Sequence, residues 1–115
     1  MTTVIDYNQA IEKAGGSTEL AKELFGMLLQ ELPQLRDSLE AAIAQENLQA
    51  TWDHAHKIYG STAYCGVPLL RDAAGLMETA VKSKELVAIR ERFQALDKAI
   101  QQLLAEGPLH LQQTW

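Results

Sequence analysis

Little in this 115-residue chain can cross-link it or turn it sharply. Its single cysteine rules out an internal disulfide and fits a reducing compartment. Basic charge is scarce: 10 Lys and Arg stand against 15 Asp and Glu, a net charge of −5. Phosphate neutralisation and attraction to anionic lipid both need clustered Lys and Arg, which argues against nucleic-acid binding and against membrane contact. No apolar run reaches the roughly 18 residues needed to span a bilayer, and the N-terminus shows no charged segment followed by an apolar one. A soluble, cytoplasmic domain is the expectation. Asn-Gly and Asp-Gly hairpin signals are missing, and no stretch alternates apolar and polar residues with a strand period. That excludes a sheet-based fold.

What remains reads as helix. The 47% hydrophobic and 22% charged fractions are ordinary for a globular chain with one core. Asp6 can cap a short helix over about 6–14 that stops at Gly15-Gly16. Ser17 opens an apolar stripe of Leu20, Leu24, Met27, Leu28, Leu32, Leu35, Leu39, Ala42 and Ile43. This stripe passes through Pro33, which predicts a kinked long helix or two abutting ones over about 17–45. Asn47 can cap a third helix, over about 47–64, closed by Gly66 and Pro68. A fourth, about 67–82, turns Leu69, Leu70, Ala73, Leu76, Met77 and Ala80 inward. The fifth, about 84–105, carries Leu86, Ile89, Phe93, Leu96, Ile100 and Leu103, with Gly107-Pro108 as its stop. Short connections between amphipathic helices predict an all-α, antiparallel up-and-down four-helix bundle with a short extra N-terminal helix. The bundle is expected over residues 1–107, with 108–115 as a loosely packed C-terminal tail.

Chemistry concentrates in Trp52-Asp53-His54-Ala55-His56-Lys57-Ile58-Tyr59-Gly60-Ser61 and the following turn to Gly66. On a helical projection Leu48, Thr51, Ala55, Ile58, Thr62 and Cys65 fall within an arc of about 100°, which must face the core. His56 lies about 130° from the centre of that arc, on the solvent side, and Gln49, Asp53, Gly60 and Ala63 share its face. Trp52 and Tyr59 flank it about 40–60° away, toward the core. Gly60, one turn after His56, costs about 1 kcal/mol relative to alanine in a helix and leaves bare backbone beside the imidazole. Imidazole combines a neutral population near neutral pH with a free ring nitrogen, as a nucleophile or proton carrier requires. Taken singly neither residue supports a function, since exposed helical histidines are mostly solvated and helical glycines are often contact points for a neighbouring helix.

Ala55-His56-Lys57-Ile58-Tyr59-Gly60-Ser61, with Gly66 closing the segment, resembles the signature of histidine-containing phosphotransfer (HPt) domains. That pattern is roughly Ala-His-x-(Leu/Ile)-Lys-Gly-(Ser/Ala). Tyr64-Cys65-Gly66-Val67-Pro68 is similar to the HPt module at the C-terminus of BarA/GacS-type hybrid sensor kinases. The resemblance implies a four-helix phosphorelay intermediate without kinase activity of its own, which passes a phosphoryl group between receiver-domain aspartates. It implies His56 as phospho-acceptor through Nε2, Gly60 as the gap that admits the receiver, and Ile58 as the core anchor. Partners would be receiver domains of a hybrid kinase and of a response regulator. No intrinsic cofactor is implied, since Mg²⁺ would sit in the receiver. The chain departs from the pattern at Tyr59, where the family has a lysine; Tyr59 or Lys57 would have to serve the phosphoryl oxygens. Asp53 is a candidate for orienting the ring, and Trp52, Gln49 and Ala63 for receiver docking.

Competing readings exist. Asp53, His54, His56 and Cys65 are all potential metal ligands, but His54 and His56 point about 200° apart on a helix, so no metal site is expected. A cysteine hydrolase would need an exposed thiolate, whereas Cys65 falls in the core arc. The serious alternative is a non-catalytic adaptor bundle with the same fold, whose partner binding would not depend on His56.

Overall fold

Three of the five helices begin where a side chain takes over an orphan amide of the first turn. In the computed structural model, which describes residues 3–115, α1 spans Tyr7–Lys13 and Asp6 accepts from the Gln9 amide at 3.0 Å. Ser17 does the same for α2 (Thr18–Ala44), accepting from Leu20 N at 3.0 Å. Asn47 caps α3 (Leu48–Ser61), accepting from Ala50 N at 3.0 Å. Helix α4 (Pro68–Ser83) opens on a proline, whose missing N–H is no loss at that position. Lys84, in the left-handed region at φ 61°, turns the chain into α5 (Leu86–Leu111).

Packing runs α2 to α3, α3 to α4, α4 to α5 and α5 back to α2, with no close backbone approach across either diagonal among the described residues. This is the expected all-α, up-and-down four-helix arrangement, with α1 lying against α2. Phe25, Leu32 and Leu39 of α2, Ile58 of α3, Leu70 and Met77 of α4, and Ile89, Leu96, Ile100 and Leu103 of α5 are fully buried between the four helices. Arg36 ties α2 to α5 through a two-pronged contact with Asp97, at 2.9 and 3.1 Å, and also reaches Asp37 and Glu40. The guanidinium holds the Asp97 carboxyl below its ordinary range.

Of the two arrangements expected at Pro33, α2 takes the single long helix, and several other local expectations are corrected. The ring is on the solvent side, so the missing backbone bond is outweighed by Leu28, Leu32, Leu35 and Leu39 buried on either side of it. The α2 stripe is also rotated from the one predicted: Leu20 and Met27 are 41% and 51% exposed, while Ala21 and Phe25 are buried. The cause is α1, whose Ala10 and Ala14 form a small-residue contact with Ala21 that a leucine would hold apart. On α4, Leu76 is 48% exposed, and Ala74 and Val81 take the inner positions. Helix α3 stops at Ser61, three residues early, where the Thr62 hydroxyl donates to the Tyr59 carbonyl at 2.6 Å.

Helix α5 does not stop at Gly107-Pro108 but runs on to Leu111. Gly107 is buried against Leu29, and a Cβ there would come within 2.6 Å of that side chain. It serves close approach of α5 to α2 and not chain reversal. Beyond it, Tyr7 and the His110 ring are hydrogen-bonded, and Trp115 stands against Tyr7 and Phe25 with its Nε1 donating to the His110 carbonyl at 2.7 Å. Within the tail, His110, Leu111 and Trp115 are thus half-buried, while Leu109 and residues 112–114 are exposed.

The turn between α3 and α4 is held by Gly66. Its φ of +60° favours glycine, and an added Cβ would meet Ala10 N at 2.6 Å and Asp6 O at 2.7 Å. The Gly66 carbonyl accepts from Asp6 N at 2.8 Å, which ties the turn after α3 to the start of α1. Gly66→Ala should lower the unfolding free energy in urea by about 2 kcal/mol or more. An unchanged denaturation midpoint would show that this turn is not constrained as described.

Candidate functional site

The rotation of α3 is set by Thr51, Ala55, Ile58 and Thr62, all buried, as the projection required. Leu48, at the first turn, is only half-buried. With that face inward, the His56 side chain is 62% exposed. Its position is nevertheless defined on two sides. Trp52, one turn earlier, stacks on the imidazole with ring centroids 5.3 Å apart and planes 14° apart. From α4, Glu78 reaches across and holds Nδ1 at 2.6 Å. A carboxylate only accepts, so the hydrogen in this contact belongs to Nδ1, and the neutral ring keeps its lone pair on Nε2. The Glu78 side chain is 13% exposed, so the donor's partner is sheltered while most of the imidazole side chain is open to solvent.

Gly60 completes the geometry. A Cβ built there meets nothing within 4 Å. The glycine is therefore not a helix-packing contact, and the strip beside His56 is open. Trp52 and Tyr59 do not flank the ring on both sides as expected: both lie toward α4, so the ring is walled on one side and clear on the other. Next to Trp52 is a shallow depression of about 430 Å³ lined by Leu48, Gln49, Trp52, Val81, Lys82 and Lys84. The Lys82 ammonium lies 5.3 Å from the centroid of the indole ring.

The remaining sequence candidates are distributed as follows. Asp53 is exposed and accepts from Gln49 Nε2 at 3.0 Å; the carboxylate on the ring is Glu78 instead. Lys57 is exposed and, among the described residues, makes no hydrogen bond or ion pair. Tyr59 is half-buried, with its hydroxyl accepting from Arg71 Nη2 at 3.1 Å and the guanidinium over its ring at 4.3 Å. Ala63 is half-buried and lies in the turn after α3, not on its helical face. His54 is half-buried on the flank of α3. The Cys65 thiol is buried against the Leu24 and Ser61 carbonyls, and burial, with Glu31 nearby, pushes it up to about 11. The four possible metal ligands thus face different surroundings, and no three such side chains are grouped for a metal among the described residues. No helix there is long and apolar enough to cross a membrane.

Glu78, Lys82 and Arg71 were not identified from the sequence. Gly75, Glu78 and Lys82 recur at spacings of three and four immediately beside the buried stripe Ala74, Met77, Val81. That second stripe is a signal, legible once α4 is known to be the neighbour of α3.

The Hpt domain family model matches residues 23–106. The chain belongs to the Hpt domain family. Hpt domains are phosphorelay intermediates of two-component signalling, and this chain has that role. It is 36% identical over 104 residues to the sensor protein GacS of Pseudomonas syringae pv. syringae, covering 90% of this chain and 11% of that one. It is 37% identical over 79 residues to the signal transduction histidine-protein kinase BarA of Shigella flexneri, covering 69% of this chain and 9% of BarA. The match therefore spans about a tenth of either kinase. In fold it resembles the HPT domain of a sensor hybrid histidine kinase from Shewanella, with a TM-score of 0.64 over 90% of this chain and 95% of that one, at 22% identity.

Within this Hpt domain Gly60 is a local sacrifice of helix stability with no packing return. Gly60→Ala should raise the unfolding free energy by up to about 1 kcal/mol. A destabilised alanine variant would mean that the glycine is required by the fold and would remove it from the site.

Proposed function

We propose that His56 is the phospho-acceptor of this Hpt domain and that it exchanges a phosphoryl group with receiver-domain aspartates. The observation that carries this reading is the Glu78 contact on Nδ1, which leaves Nε2 as the outward lone pair. In the forward step the Nε2 lone pair attacks phosphorus of the receiver's aspartyl phosphate in line. The Nε2–P bond forms as the P–O bond to the aspartate breaks, and the carboxylate leaves with the electron pair. The proton stays on Nδ1, and the positive charge gained by the ring faces the Glu78 carboxylate. The return step, to the aspartate of a second receiver, reverses these changes.

Positioning and charge neutralisation are the main requirements of phosphoryl transfer. The receiver supplies Mg²⁺ in this scheme, and the Hpt chain holds no cofactor of its own. Trp52 offers an apolar surface beside the acceptor, with Gln49 at its rim and Ala63 beyond Gly60, as the docking area for the receiver. Partners of this kind are a receiver of a hybrid kinase and one of a response regulator.

The test is phosphoryl acceptance from receiver domains charged with acetyl phosphate and Mg²⁺. Wild-type chain should acquire acid-labile, base-stable phosphate. His56→Gln should acquire none while melting within a few degrees of wild type, since the side chain is exposed. Label on the glutamine variant would refute His56 as acceptor. Receiver binding that is unchanged in that variant, with no label on the wild type, would favour the adaptor reading.

A further inference from the structure

We propose that Lys82 of α4 supplies the positive charge that holds the phosphoryl group on His56, in place of the lysine that Tyr59 displaces. The inference rests on the acceptor assignment above and concerns what that acceptor needs once loaded. A phosphoryl group brings nearly two negative charges. Here it arrives beside Glu78, which is in contact with the ring, and one turn from Asp53. A countercharge within reach is therefore a physical requirement of the loaded state.

Tyr59 does not meet it. Its hydroxyl is engaged by Arg71 at 3.1 Å, and a Cβ on Gly75 would lie 3.4 Å from its ring, so the side chain lies along α4. Arg71 is committed as well: it donates to both Tyr59 and the Thr62 hydroxyl and stacks on the tyrosine ring. Lys57 is free but leaves the helix about 100° round from His56.

Lys82 is differently placed. It stands one turn after Glu78 on the same face of α4, the favourable order for an intrahelical Glu–Lys pair. That pair is not made. Glu78 turns to His56, and Lys82 lies over Trp52, so a single indole is in contact with both the ammonium and the imidazole. Among the described residues no carboxylate pairs with Lys82. A cation resting on an exposed aromatic face is weakly held, and lysine's four-carbon stem lets it exchange that contact for phosphoryl oxygens by side-chain rotation alone. Trp52 then has two tasks: it stacks the acceptor ring and parks the ammonium next to it.

The experiment is the equilibrium between phosphohistidine on this chain and aspartyl phosphate on the receiver that labels it best. Lys82→Gln should shift that equilibrium toward the receiver by about tenfold, the size of one charge-assisted hydrogen bond. Lys82→Arg should stay within about threefold of wild type, because it restores the charge. Lys98→Gln, on α5 and away from α3, makes the same change in net charge and should leave the ratio unmoved. An equilibrium for Lys82→Gln within twofold of wild type would overturn the assignment, as would an equal shift in Lys98→Gln. If His56 in the wild-type chain takes no label, the acceptor reading fails first and this one with it, an outcome distinct from a labelled chain indifferent to Lys82.

Discussion

The rotational setting of α3 is the constraint on which the site depends. Thr51, Ala55, Ile58 and Thr62 bury one face of that helix, and nothing longer than isoleucine stands on it. Small residues on the inner face bring α3 close to its neighbours, and close packing leaves little freedom to roll. His56 is then outward by geometry, Trp52 and Tyr59 are pressed toward α4, and Gly60 is left on the open side. The bundle holds one ring at a fixed height and azimuth, and the tie between Asp6 and Gly66 fixes the turn that follows α3.

Helix α4 turns a presented imidazole into a chemically defined one. Glu78 decides which nitrogen carries hydrogen, and a sheltered carboxylate does so without blocking the free lone pair. The division of labour is simple. One helix presents the imidazole, its neighbour sets the tautomer, and the aromatic ring between them fixes the plane. In the proposed exchange a visiting receiver is left to bring the phosphoryl group, the metal and the rest of the charge. The open surroundings of His56 suit that proposal, in which the other half of the reaction is an entire protein domain.

Much of this was legible in the sequence because it depends on one helix at a time. The caps at Asp6, Ser17 and Asn47, the buried arc of α3 and the exposure of His56 and Gly60 follow from local rules and a 3.6-residue period. What was not legible depends on how two helices meet. Glu78 and Lys82 sit on α4 in a stripe that looks like ordinary solvated surface until α3 is laid beside it. The α2 stripe was misjudged at Leu20 and Met27 because large residues were favoured, whereas contact with α1 selects Ala21. Gly107-Pro108 reads as a helix stop by local rule, but the contact with Leu29 and the Tyr7, His110 and Trp115 cluster carry α5 past it.

The most direct measurement is the tautomer of neutral His56, read from the nitrogen shifts and ring couplings of the uniformly ¹⁵N-labelled chain. The account predicts hydrogen on Nδ1 and an unprotonated Nε2, with Glu78→Gln relaxing that preference. A neutral His56 carrying its hydrogen on Nε2 would contradict it, because the nitrogen that faces the receiver would then have no lone pair to offer.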